Sequence, residues 1–211
     1  LSSYSRVPPP ASTIRRSSPG AQASQAAHAL RGMECLKDKN LAIVDVETSG
    51  TSATSRVIEI AILRIEAGEC VQTFRTTINP GSRVPMWITA LTGITQEEVR
   101  EAPRFDEIID DVEKLLSDAV CVAHNVAFDY AFIEREFARA GRRFSSARLC
   151  TARLSRTLYP HARRHGLSQL IERHGLFIVD RHRAWGDAYA RWQFLQRCGA
   201  RSNFPHALGT L

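Results

Sequence analysis

Three strand-length apolar segments, at 41–47, 56–65 and 70–78, follow one another before the chain first shows helical periodicity. That order narrows the fold more than any other feature. Ile58, Ile60 and Ile62 recur at period two, the spacing that lines one face of a strand, and Asn79-Pro80-Gly81 closes the third segment with a turn signal. Phe105, Ile108, Ile109, Val112, Leu115 and Leu116 then recur at helical spacing and predict an amphipathic helix over 105–117. A fourth strand at 119–123 leads into a helix over 126–140, whose apolar stripe is Phe128, Phe132, Ile133 and Phe137. Leu167, Leu170 and Ile171 mark a further helix stopped by Gly175, and a last one runs from about 184 to 198 with Trp185, Ala188, Tyr189, Trp192 and Leu195 inward. Consecutive strands followed by strand–helix alternation predict an α/β fold, a mixed sheet with helices packed on its faces.

With 211 residues and 44% hydrophobic content the chain can bury one sizeable core. The N-terminal 36 residues are rich in Ser, Ala and Pro and are expected to be disordered or partly helical. A single catalytic domain is expected over 37–200, followed by a short C-terminal tail over 201–211. The net charge of +6 is unevenly placed: residues 1–33 hold Arg6, Arg15, Arg16 and Arg31 and no acid, so the remainder is close to neutral. Basicity alone is therefore a weak argument for a polyanionic partner. Five scattered cysteines without a CxxC pair argue against a disulfide framework and a thiolate zinc site, and favour a reducing cytoplasm. No apolar run approaches the length of a membrane span.

Asp45-Val46-Glu47 ends the first apolar strand. Residues two apart share a face, so both carboxylates point one way and need either solvent or a cation. Oxygen ligands suit a hard ion such as Mg²⁺ or Mn²⁺. His124-Asn125-Val126-Ala127-Phe128-Asp129 marks the handover from the fourth strand to a helix, with Asn125 as the candidate N-cap. His182-Arg183-Ala184-Trp185-Gly186-Asp187 opens the final helix. Each segment alone has a plain structural reading: a solvated strand end for the first, and first-turn aspartates favoured by the helix dipole for the others. Together they supply four carboxylates and a histidine, the inventory of two-ion phosphodiester hydrolysis with a general base titrating near neutrality.

These three segments, in this order, resemble the DnaQ-like, or DEDDh, family of 3′→5′ exonucleases. The likeness extends over about 38–198 and includes Ile78-Asn79-Pro80-Gly81 and Leu91-Thr92-Gly93-Ile94-Thr95. It implies an RNase H-like fold, with a five-stranded mixed sheet whose second strand runs antiparallel to the rest, a fifth strand near 148–151, and helices on both faces. It implies two ions, Mg²⁺ or Mn²⁺: Asp45 would bridge both, Glu47 and Asp187 would complete the first, and Asp129 would hold the second. His182 would be the general base, and Thr48, His124, Asn125 and Phe128 would line the pocket for the terminal nucleotide. In the family an apolar residue usually follows the glycine of the first motif, whereas here Gly50 precedes Thr51-Ser52.

The basic run from Arg153 and Arg156 to Arg163-Arg164-His165 is either a phosphate-tracking funnel, with Arg163 and Arg164 binding substrate, or a solvated helix and loop. The expected function is metal-dependent removal of nucleoside 5′-monophosphates from a free single-stranded 3′ end, with DNA favoured in proofreading or repair. A DNA polymerase is a further expected partner. The competing readings are an RNA-trimming exonuclease and a catalytically silent nucleic-acid-binding or polymerase accessory module.

Overall fold

Strand β1 (Leu41–Thr48) is central in a five-stranded sheet of order β3-β2-β1-β4-β5, with β2 at Val57–Glu66, β3 at Glu69–Thr77, β4 at Val120–Ala123 and β5 at Arg148–Cys150. The computed structural model describes residues 36–199, 201 and 203–209. β2 pairs antiparallel with β1 and β3, while β4 runs parallel to β1 and β5 parallel to β4. The mixed sheet with an inverted second strand is thus present. β2 and β3 are joined by Ala67-Gly68, both at positive φ, a two-residue hairpin turn that matches the strand twist.

Period-two alternation along β1 divides the core. Ala42, Val44 and Val46 face α3 (Phe105–Leu116) and α4 (Val126–Arg139), where Phe105, Ile109, Phe132 and Phe137 pack. Leu41 and Ile43 face the opposite layer. That layer consists of α5 (Thr151–Leu158), α6 (Leu167–His174), α7 (Ala184–Gly199) and α8 (Phe204–Gly209). Two short helices, α1 (Met86–Thr92) and α2 (Gln96–Arg100), cover Ile58 through Ile88, Ile94 and Val99. The Leu91–Thr95 run makes this turn: Gly93 at φ 75° ends α1, and Thr95 caps α2 by accepting from the Glu98 N–H.

One expectation changes at the chain's C-terminal margin. Phe204 is fully buried against the α7 side of the core, so the short tail expected from 201 onward contains a packed helix instead. The leader expected over 1–36 lies outside the described residues except for Leu36, which is buried. Among the described residues no helix is long and apolar enough to cross a membrane, and Cys70, Cys121, Cys150 and Cys198 are free.

Candidate active site

Asp45 and Glu47 extend the β1 alternation that carries Leu41 and Ile43, so both carboxylates face α7. Across the antiparallel register Glu47 stands opposite Glu59 of β2. Glu59 accepts from Arg183 Nε at 2.9 Å and from the Ala184 backbone N–H at 2.7 Å. It thereby satisfies a donor at the start of α7 and pins that helix to the sheet. Arg183 also bonds Glu98 of α2 at 3.0 Å, tying the connecting segment to the same point. Gly186 is required here, because a Cβ would lie 2.1 Å from the Val179 carbonyl oxygen. The loop before α7 can cross the helix closely only over a glycine.

With α7 fixed, Asp187 reaches the sheet. One carboxylate oxygen from each of Asp45, Glu47 and Asp187 lies within 4.8 Å of the others. Oxygens around one Mg²⁺ sit at about 2.1 Å from it and so at most about 4.2 Å apart. The three therefore close on an ion with small side-chain shifts. Asp187 Oδ1 is buried without a hydrogen-bond partner, and burial, then Asp187 and Glu59, push the Glu47 carboxyl up to about 8. Burial likewise holds Asp45 well above the ordinary carboxylate range, although Arg191 counteracts it. A divalent cation would relieve all three, and an all-oxygen donor set fits Mg²⁺ or Mn²⁺.

Asp129 approaches from the other side. β4 pairs with β1 only as far as Ile43, so the β1 backbone groups beyond it need other partners. The Val46 N–H donates to Asp129 Oδ1 at 3.3 Å, and the Val44 carbonyl accepts from Arg191. The crevice thus opens where β1 and β4 part, the usual ligand position in an open α/β sheet. Asp129 is buried, and burial raises its pKa against the effect of Arg191.

His182 precedes α7 with a left-handed φ of 62° and is partly buried. His124 stands at the end of β4, where Nδ1 and Thr151 Oγ1 lie 3.0 Å apart. Burial, then Arg191, lower its pKa to about 4, so it is neutral at physiological pH. Asn125 is the α4 N-cap, as expected, but it takes the left-handed conformation and makes no side-chain cap bond, and it is exposed. Phe128 is half-buried against Phe132, with ring centroids 4.9 Å apart. Thr48 donates to the Gly50 carbonyl at 2.8 Å, bracing the loop after β1.

Beside His124 and Asn125 a cleft of about 900 Å³ is lined by Arg148, Arg153, Arg156 and His165, without an acidic side chain. Arg163 and Arg164 are exposed but are not among its lining residues. The basic run is therefore split: its first two arginines face the cleft and the later pair does not.

Sequence reasoning missed Glu59, Arg181 and Arg191. Arg181 pairs with Asp187 Oδ2, and its Nη2 donates to Ser168 Oγ at 3.1 Å. Arg191 is buried and pairs with Asp45 and, at 3.5 Å, with Asp129. A signal for it existed: Ala184, Ala188, Arg191 and Leu195 fall on one helical stripe, and a charge on an apolar stripe needs a partner.

The model of a family described as "Exonuclease" matches residues 42–194. The chain belongs to this exonuclease family. It is the DnaQ-like domain expected from the motifs. A PolC-type DNA polymerase III of Clostridium perfringens is 33% identical over 168 residues, covering 79% of this chain and 12% of that protein. The PolC-type polymerase of Streptococcus suis is 35% identical over 162 residues, covering 76% of this chain and 11% of the relative. The chain thus spans about one-ninth to one-eighth of these relatives. Exonuclease X, solved in complex with 5′-overhanging duplex DNA, superposes with a TM-score of 0.62 at 24% identity, covering 74% of this chain and 89% of that one. Escherichia coli exonuclease I with single-stranded DNA gives a TM-score of 0.71 at 19% identity, covering 82% and 42%. A 3′-exonuclease that recognises the histone mRNA stem-loop gives 0.66 at 16%, covering 77% and 64%. These likenesses carry the fold: a five-stranded mixed sheet with helices, of RNase H-like type.

Proposed function

We propose that the chain is a divalent-metal-dependent 3′→5′ exonuclease releasing nucleoside 5′-monophosphates from single-stranded 3′ ends, DNA in preference to RNA. The observation that carries this reading is the convergence of Asp45, Glu47 and Asp187 on one buried point. Asp129 lies beside them on the opposite wall of the crevice. When bound there, the ion supplies a Lewis acid for the scissile phosphate and lowers the pKa of the attacking water. His182 takes that water's proton: it precedes the helix bearing Asp187, and its ring is partly exposed and engaged in no hydrogen bond or ion pair among the described residues. Thr48, His124, Asn125 and Phe128 form the receptacle for the terminal nucleotide. Neutral His124 and exposed Asn125 offer hydrogen bonds, and Phe128 offers an apolar face.

The rest of the strand follows the basic cleft. Arg148, Arg153 and Arg156 meet its phosphates there, so within the basic run the phosphate-tracking role falls to its first two arginines and not to Arg163 and Arg164. DNA is favoured because PolC-type DNA polymerases are among the relatives of this chain, at 33% and 35% identity. A DNA polymerase accordingly remains the proposed macromolecular partner.

Matched DNA and RNA oligonucleotides labelled at either end test this reading. A ladder shortening by single nucleotides from the 3′ end of DNA, stopped by EDTA, is the expected result. Binding without degradation in Mg²⁺ or Mn²⁺ would make the chain a silent nucleic-acid-binding module, and faster cleavage of RNA would reverse the sugar preference. Replacing Arg153 and Arg156 with Ala should raise KM and flatten its salt dependence more than replacing Arg163 and Arg164.

A further inference from the structure

Arg191 stands where the two-ion expectation put a second ion. It lies four residues after Asp187 on α7, so the two side chains share a helix face. One guanidinium fork bridges Asp45 and Asp129, while Nη1 also donates to the Val44 carbonyl. The side chain is 6% exposed, so it cannot leave for solvent without moving α7 off the sheet. Burial opposes its charge, but Asp45, Asp129 and Asp187 outweigh burial and raise its pKa. Such an arginine is stable only in place, because removing it would strand two buried aspartates.

Arg181 differs. It touches Asp187 from a loop, and its side chain is 28% exposed, so a ligand can displace it into water. Four carboxylates, Asp45, Glu47, Asp129 and Asp187, face these two guanidiniums. With all four ionised, as a bound divalent ion requires, the surplus is two negative charges while Arg181 stays in place and three once it is displaced; one divalent ion offsets two of them. Two ions added to the same set would reverse the sign of a buried site and bring a cation against the Arg191 guanidinium.

We propose that Arg191 is a built-in cation between Asp45 and Asp129, so that the folded chain takes one divalent ion, on Asp45, Glu47 and Asp187, instead of two. The inference rests on the exonuclease reading for the use of the site but not for its ion count. Asp129 becomes a positioning residue, holding the β1 backbone and Arg191.

Equilibrium dialysis of the full chain against Mn²⁺, with free ion counted by paramagnetic resonance, reads the stoichiometry without reference to activity. The wild type is expected to bind one Mn²⁺ in the site and Arg191→Met, neutral and of similar length, two. Two ions of affinities within tenfold on the wild type, none, or a single ion on a folded Arg191→Met would each overturn the proposal. Should Arg191→Met fail to fold, Asp129→Asn decides: affinity for the single ion within about threefold of wild type supports the assignment, and a loss of tenfold or more refutes it. End-labelled DNA degradation on the same wild-type preparation separates the two readings. A chain that degrades DNA while holding two ions refutes the ion count alone, and one that holds a single ion without degrading DNA refutes only the exonuclease reading.

Discussion

A single buried carboxylate, Glu136, and the set Asp45, Glu47 and Asp187 lie on opposite sides of β1 and are treated in opposite ways. Glu136 of α4, whose side chain is 1% exposed, accepts from Arg56 Nε at 2.8 Å, Arg56 Nη2 at 2.8 Å, Arg139 Nη1 at 3.0 Å and the Val57 N–H at 3.3 Å. Its charge is answered inside the fold, and its effect is to join α4 to β2. Asp45 and Asp187 are also buried and Glu47 is partly so, yet Asp187 Oδ1 has no hydrogen-bond partner among the described residues and Glu47 faces Glu59. The first arrangement is a structural clasp. The second leaves negative charge over, and that surplus is what a bound cation uses.

Removing one carboxylate from each side should therefore give different losses. Asp187→Asn is expected to lower exonuclease turnover by about a thousandfold or more, while metal-free melting shifts by only a few degrees. A melting loss as large as the activity loss would mean that Asp187 is mainly structural. Glu136→Gln should do the converse, costing about 3 kcal/mol in urea unfolding by leaving Arg56 without its partner. Turnover per folded molecule should remain near wild type, and a selective loss of turnover would dissolve the contrast.

The pH dependence of metal-free stability sharpens the comparison further. The folded pKa of Glu47, about 8, lies above its ordinary 4.5, so the folded state holds the extra proton between those values. Its contribution is complete below about 4.5 and is lost as pH rises to about 8. Melting in EDTA should fall over that window, and Glu47→Gln should remove this part of the slope. His124 gives the smallest effect, with the opposite sign. Its folded pKa of about 4 lies below the ordinary 6.5, so stability present above 6.5 is lost as pH falls through 4. His124→Gln should flatten that acid limb, and an unchanged limb would show that burial of this ring is not what makes the fold acid-sensitive.

Much of this was legible before any coordinates. The isoleucines of β2 reveal their strand because period two is a local property, and the stripe from Phe105 to Leu116 reveals α3 for the same reason. Asp45 and Glu47 share a face by strand geometry alone. Asn125 was legible as the α4 N-cap, but the sequence of a cap residue does not say whether its side chain bonds the first turn or its backbone conformation alone starts the helix. The packed helix at Phe204–Gly209 was missed because six residues are too few to show a period. Arg163 and Arg164 resembled Arg153 and Arg156 in composition, and only the path of the chain after α5 sent one pair into the cleft and left the other outside.

Sequence by itself determined the strand and helix periods, which residues within a few positions of one another set, and the carboxylate inventory and order of its three segments, which are read directly along the chain. Tertiary structure decided what those residues meet. The Glu59 anchor of α7, the parting of β1 from β4 and the placing of Arg191 between Asp45 and Asp129 depend on contacts spanning 62 to 147 positions. Electrostatic energy follows distance in space, and spacing along a chain does not disclose which buried charge a distant arginine will reach.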